Sequence, residues 1–452
     1  MAMNNVRAIL LANNDDVAAM LAAVVPQAQV AVTLNASGGT VLELAARQAV
    51  PFGHKIAIRD IVSGAKINRY GYPIGVATSD IKQGEHVHAH NMRSLLSSAP
   101  AKKAEPRPVR SAAWLTRLVD DILCAAGAGP EAAQAMSLAM AEAHLRGVET
   151  HGLRRLRPYI TRIRAGGVDG KAQPAIDRRQ ALLLIDGRNG VGHYVAAVAA
   201  DAVSEAARQF GIAIALVSNS NHFGFAGHFA TMIAERKQIG IVTSNGQVCV
   251  GPQGATRSLL SNNPLAIAAP TGLGDSFLEL DFATSVTSRA NIVEAARNGA
   301  SLPKGWAQDS RGVPTTDPTA ALAGSLLAFG GGKGFGLLVA LEAMTGVLAG
   351  GAFADQVASK EASQNTPEGT GYTLIAIDIG KGIGVEAYTQ RLDDMIGRLH
   401  GLPMAPDAPP ARYPGERRWK LRRQRLSDGI PLVPAELADL LALAGELGVA
   451  TE

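Results

Sequence analysis

Along residues 111–126 (SAAWLTRLVDDILCAA) apolar side chains recur at Ala112, Leu115, Leu118, Val119 and Ile122, the three-and-four spacing of one helix face. Gly127 and Gly129 close that segment, and Pro130 opens a second helix with Ala133, Met136, Met140 and Ala141 on one side, running out at Arg146–Gly147. Residues 212–217 (IAIALV) form a β-rich run, followed by the polar turn SNSNHFG and a helix that carries His228. The pattern is different before residue 95. KIAIRDI (55–61), KINRY (66–70) and HVHAH (86–90) are short segments bounded by Gly53, Gly64, Gly71, Gly75 and Gly84, and turn signals this frequent predict a small all-β unit. Read as a strand, HVHAH places His86, His88 and His90 on one face. Between the two regimes, SSAPAKKAEPRPVR (97–110) carries three prolines among charged and small residues, which cannot bury a core and predict an extended tether. The expected organisation is a β domain over 1–95, a linker over 96–108 and a larger α/β part over 109–452.

Composition narrows the function classes. A chain of 452 residues with 47% hydrophobic and only 18% charged residues can fill two or three sizeable cores. Aromatics at 4% and a net charge of +4 argue against a surface built for nucleic acid. Two cysteines, Cys124 and Cys249, cannot make a disulfide framework or an iron–sulfur cage. The N-terminus lacks a basic segment followed by an unbroken apolar core, and even 193–207 is interrupted by Asp201 and Glu205, so the expectation is a cytoplasmic protein with no membrane partner.

The densest chemistry lies in RGVETHGLRRLRPYI. Thr150, His151 and the arginines 154, 155 and 157 bring a hydroxyl, an imidazole and forked guanidinium groups within two turns, a set able to grip a carboxylate and exchange a proton beside it. The competing reading has the arginines on an exposed helix face. His222 sits at a strand–helix junction, where backbone amides are free. No strand–GxGxxG–helix unit is present, and GGGKGFG lacks the Ser or Thr after Lys333 that a phosphate-binding Walker loop requires. Seven basic residues in 412–426 (RYPGERRWKLRRQRL) suit a cofactor phosphate, an anionic substrate or a partner, with a solvated face as the preferred reading. The three histidines of HVHAH predict no metal site, since same-face neighbours on one strand rarely converge on a tetrahedral centre.

Two resemblances cover most of the chain. Residues 53–91, with GHK, RYG, IG and GEHVHAHN in order, resemble the SAF-type β-clip domain of altronate dehydratase and the small subunit of sulfolactate sulfo-lyase, whose lyase chemistry is assigned to a large part absent here. From about 109 to 450, SNHFG, SNNPLAIAAP, LELDFATS, LPKGWAQDSRGVPTTDP, FGGGKGFG and YPGER resemble the type-2 malate/L-lactate dehydrogenases. That resemblance implies an α/β fold unlike the Rossmann type, a mostly antiparallel nicotinamide-binding sheet over about 183–380, NAD or NADP as cofactor, and a homodimer that completes the cleft. It implies His151 as acid/base with His222 as its rival, Arg155 on the substrate carboxylate and Thr150 supplying a hydroxyl. Cofactor contacts would fall on Asp281, Ala283, Thr284 and Ser285, on Lys333, and on Pro414, Gly415 and Glu416. Thr150 replaces the family's usual serine, and SNNP stands where GTNP is common. The implied activity interconverts a 2-hydroxy and a 2-oxo acid of the malate, lactate or sulfolactate type. The implied alternative is an accessory subunit of a hydro-lyase or sulfo-lyase with a degenerate dehydrogenase half, in which a separate large lyase subunit is the partner.

Overall fold

The computed structural model describes residues 6–10, 12–34, 39–69, 72–94, 107–359, 363–405 and 408–451. Most of the Pro-rich tether, and Tyr70 and Gly71 of the RYG motif, lie outside the described residues. The chain divides into two compact units, Met1–Pro106 and Arg107–Glu452.

The first unit is all β. One sheet has the spatial order Thr40–Ala45, Gln29–Leu34, Val6–Leu10, Val17–Met20, Lys55–Ala57, His86–Val87, and a second consists of Lys66–Arg69, Tyr72–Ala77 and Met92–Ser94. Alternation turns Ala8, Val30 and Val32 inward onto Met20 and Ile56, while a smaller core gathers Val17, Ile61, Ile67, Ile81 and Val87. Asp16 ties the sheets, its carboxylate accepting from Asn68 N at 2.7 Å and Arg59 Nε at 2.6 Å.

HVHAH corrects the expectation of one five-residue strand. Only His86–Val87 pairs, against Lys55 and Ile56, and the chain then turns. Asn91 makes the turn: its Oδ1 accepts from His88 N at 3.0 Å and its Nδ2 donates to the His86 carbonyl at 2.9 Å. A short amide side chain bonding its own backbone competes with the strand ladder.

The second unit is built on a seven-stranded sheet in the order Ala175–Arg179, Leu182–Asp186, Ile212–Ser220, Thr370–Asp378, Gln238–Ser244, Leu265–Pro270, Phe277–Phe282. Only Leu182–Asp186 beside Ile212–Ser220 is parallel. Helices Gly192–Phe210 and Ala226–Glu235 pack on it. Ala196, Ala199, Ala200 and Ala207 meet Ala213, Ala215 and Ala376 in one buried core, so small side chains on both surfaces let helix and sheet approach closely. A second core joins helices Ala112–Ala125, Pro130–Leu145, Leu156–Arg164 and Pro434–Leu447 through Leu115, Leu118, Ile122, Met136, Met140 and Leu440. Ser111 caps the first of these, its hydroxyl accepting from Trp114 N at 3.1 Å.

The basic stretch near the C-terminus is a solvated face only in part: Arg412, Arg417, Lys420 and Arg423 are exposed, the other three arginines are not. It forms helix Glu416–Asp428, whose Trp419 is buried and whose arginines reach back across the fold. Arg418 pairs with Glu279 at 3.0 Å, Arg422 with Glu142 at 2.8 Å and Arg425 with Glu149 at 3.0 Å. Arg146 joins Glu142 and Glu279, and the Arg146 and Arg422 guanidinium carbons lie 4.5 and 5.4 Å from the Trp419 ring centre. Burial raises the Glu142 carboxyl, but Arg422 and Arg146 outweigh it and hold it at about 2. The acidic partners stand 130 to 280 residues upstream, beyond any local pattern.

Candidate active site

Helix Pro130–Leu145 ends at Arg146, and two 3-10 turns, Glu149–His151 and Leu153–Arg155, lead into helix Leu156–Arg164. Gly152 separates the turns because a Cβ there would lie 2.3 Å from His144 Nε2. That nitrogen accepts from Leu153 N at 3.1 Å, and burial lowers His144 to about 4, keeping it a neutral acceptor. The double turn presents Thr150, His151 and Arg155 to one cavity of about 310 Å³. Thr150 Oγ1 lies 3.0 Å from His151 Nδ1, and Arg155 Nε donates to the Thr150 carbonyl at 3.3 Å. Arg154 and Arg157 are occupied elsewhere, on Glu436 and on Asp439 and Glu446, so the exposed-face reading holds for these two.

His222 enters the same cavity from the end of strand Ile212–Ser220. Its ring lies parallel to that of His151, with centres 5.9 Å apart and planes within 6°. The His222 amide donates to Glu368 Oε2 at 3.2 Å, and Tyr159 Oη lies 2.5 Å from His222 Nδ1. Glu368 also lines the cavity and is backed by Arg162 at 3.6 Å.

The expected cofactor residues are distributed more widely. Asp281 and Ala283 line the cavity at the end of strand Phe277–Phe282. Burial pushes the Asp281 carboxyl up to about 6 against the pull of Arg418. Thr284 and Ser285 are buried and bond the carbonyls of Asn262 at 2.8 Å and Thr287 at 2.7 Å. Lys333 is exposed in the first turn of helix Gly332–Glu342, away from the cavity lining. Pro414, Gly415 and Glu416 do not line it either: Pro414 O accepts from Glu279 N at 2.9 Å, Gly415 has φ +93° with no room for a Cβ beside Glu279, and Glu416 pairs with His400 at 3.0 Å. Of the unusual SNN segment, Ser261 and Asn262 both line the cavity.

Sequence reasoning missed Tyr159 and Glu368. Tyr159 falls eight residues after His151, but the two 3-10 turns and Gly152 between them break the helical register, so spacing did not reveal its place beside His222. Glu368 lies 146 residues beyond His222 and left no local signal.

In the first unit, the turn at His88–Asn91 folds the imidazoles together rather than in a row. His54 of the GHK motif joins them: the ring centres of His54, His86 and His88 are 4.9 to 5.5 Å apart, and His90 lies 5.3 Å from His86. His54 Nδ1 and His86 Nε2 share one hydrogen bond of 2.8 Å. Burial, then the neighbouring imidazoles and Lys55, lower His86 to about 4. Among the described residues no three such side chains converge on a common metal position.

Residues 111–441 match the malate/L-lactate dehydrogenase family model. The chain belongs to this family. Residues 6–95 match the altronate/galactarate dehydratase SAF domain. The chain is 32% identical over 337 residues to the L-sulfolactate dehydrogenase of Methanothermobacter thermautotrophicus, covering 74% of this chain and 96% of the relative. It is 34% identical over 344 residues to the Delta(1)-pyrroline-2-carboxylate/Delta(1)-piperideine-2-carboxylate reductase of Pseudomonas syringae, covering 75% and 98%. The sulfolactate dehydrogenase structure from Methanocaldococcus jannaschii superposes with a TM-score of 0.70 at 29% identity, over 76% of this chain and 98% of that one. The second unit is therefore an oxidoreductase of a family that uses NAD(P)H, and its relatives include both 2-hydroxy-acid dehydrogenases and imine reductases.

Proposed function

We propose that the second unit interconverts a 2-oxo acid and a 2-hydroxy acid by hydride transfer with NAD or NADP. The observation that carries this reading is the convergence of Thr150, His151, Arg155 and His222 on one cavity. Arg155 grips the substrate carboxylate through its forked donors. His151 gives its proton to the oxygen that becomes the hydroxyl, and Thr150, bonded to the far ring nitrogen, fixes the ring plane. A bound nicotinamide supplies the hydride.

The chain's own residues fit such a cofactor. Asp281 and Ala283 end a strand at the cavity wall, and a carboxyl titrating near 6 can donate as well as accept beside a carboxamide. Gly330 and Gly331 both take φ +61° ahead of helix Gly332–Glu342 with nothing within 4 Å of a Cβ position, an open approach for phosphate beside Lys333. A cavity of about 310 Å³ is at the low end of ligand sites, ~300–1,000 Å³, and suits the reacting ends more than a whole dinucleotide. That supports a homodimer in which a second copy completes the cleft.

Sulfopyruvate is the favoured oxo acid. The L-sulfolactate dehydrogenase relatives support it; the sequence resemblance of residues 53–91 to a sulfo-lyase small subunit adds to it, and a separate large lyase subunit would then consume the product. The test is purified protein with NADH or NADPH and sulfopyruvate, oxaloacetate, pyruvate, a 2-oxo sugar acid or Δ1-pyrroline-2-carboxylate, with a pull-down for a lyase subunit. Faster turnover of any 2-oxo acid than of the cyclic imine supports the reading. Turnover of the imine alone overturns it, and oxaloacetate or pyruvate preferred with no lyase recovered removes the sulfopyruvate assignment.

A further inference from the structure

Two imidazoles share the cavity, and only one of them is placed to give up a proton. The decisive atom is Nδ1 of His222. Two donors face it: the Gly224 backbone N–H at 3.3 Å and the Tyr159 phenol at 2.5 Å. A backbone N–H cannot reverse its role, so Nδ1 must present a lone pair, and the single ring proton of a neutral His222 then sits on Nε2. Tyr159 is buried, with its ring edge-on to His193 at 5.2 Å, and burial drives its phenol above the usual range, so it stays an O–H donor. Gly224 is held in the orientation that aims its N–H by φ +84°, and a Cβ there would come within 2.9 Å of His193 Nε2.

We propose that Tyr159 is a positioning residue that locks His222 as a neutral imidazole with its proton on Nε2, so that His222 acts as a fixed hydrogen-bond donor in the cavity and His151 alone transfers the proton. The proposal rests on the 2-oxo-acid reading for its catalytic half only. An imidazolium at 222 would need a proton on Nδ1, pointing at the Gly224 N–H. The charged and titratable groups around the ring are His151 and Arg155 on the 3-10 turns, Tyr159 and Arg162 on the next helix, His193 on helix Gly192–Phe210, and Glu368 before strand Thr370–Asp378. Glu368 accepts from the His222 backbone amide and Thr370 Oγ1 and pairs with Arg162.

The experiment uses full-length protein carrying ¹⁵N-histidine. The His222 resonances are assigned by their loss in His222→Gln, and the remaining nine histidines serve as internal controls. The expected spectrum shows His222 as the Nε2–H tautomer, not titrating between about pH 5 and 9, with its pKa moved upward once Tyr159→Phe removes the shorter-range of the two donors. In turnover, His222→Gln, which keeps an N–H donor, should exceed His222→Leu by at least about tenfold, while His151→Gln falls by ~10²-fold or more. In wild type, a titrating His222 or one with its proton on Nδ1 overturns the proposal. So does a His151→Gln enzyme that outperforms His222→Gln. The nitrogen spectrum needs no substrate, so a locked His222 in a protein that turns over no 2-oxo acid would refute the functional reading and leave the positioning role standing.

Discussion

The proposed mechanism gives His151 and Arg155 separable tasks, and the substitutions that test them differ in kind. His151→Asn removes the group proposed to move a proton and should lower kcat by ~10²–10⁴-fold with little change in KM. Arg155→Lys keeps the charge but loses the fork, so KM for the oxo acid should rise while kcat changes less. Steady-state kinetics on both variants separates these effects, and equal losses in both parameters for both variants would count against the division. That Thr150, His151 and Arg155 share one cavity was legible in the sequence because they lie within six residues, where spacing is geometry. The remaining groups were not. Tyr159 comes to His222 across a break in helical register, and Glu368 reaches His222 only through the sheet order, which places strand Thr370–Asp378 directly beside Ile212–Ser220.

At the scale of elements, helix Glu416–Asp428 is the clearest case of tertiary structure overriding a local pattern. Its sequence reads as a charged surface, yet Trp419 and four buried or half-buried ion pairs clamp it to helix Pro130–Leu145, the 3-10 turn Glu149–His151 and strand Phe277–Phe282. Trp419→Ala should cost about 3–5 kcal/mol, read as a lower urea midpoint, because it opens a cavity and strips Arg146 and Arg422 of their aromatic face. The buried histidines give a second prediction. His144 and His228 are lowered to about 4 and His193 to about 3, in each case chiefly by burial. A depressed histidine pKa means that the unfolded chain binds more protons, so the contribution is complete above the unfolded value near 6.5 and is lost as pH falls toward 4. Each histidine contributes about 1.4 kcal/mol per pH unit across that window. Asp281, raised to about 6, acts with the opposite sign between about 4 and 6, but one carboxyl does not offset three imidazoles. Melting temperature should therefore fall steadily below about pH 6.5, and a flat profile from 7 to 5 would contradict the assignment of these histidines as buried and neutral.

At the scale of the whole molecule, the composition and the shift from short glycine-bounded strands to long helical periods revealed two regimes, and the two compact units have separate hydrophobic cores. The order of the seven strands was not legible from periodicity, since the return of Thr370–Asp378 to the middle of the sheet joins segments some 150 residues apart. The family resemblance implied a mostly antiparallel sheet but no strand order. A chain beginning at Arg107 should fold by itself and keep its turnover of 2-oxo acids, since every residue assigned to that chemistry lies in the second unit. The most direct test of the central claim is the loss of reduced-nicotinamide absorbance when full-length protein is mixed with NADH or NADPH and a 2-oxo acid, run beside His151→Asn. The account predicts substrate-dependent oxidation in the wild type that falls at least about a hundredfold in the variant. Equal rates in the two proteins, or no oxidation with any 2-oxo acid despite demonstrated dinucleotide binding, would contradict it.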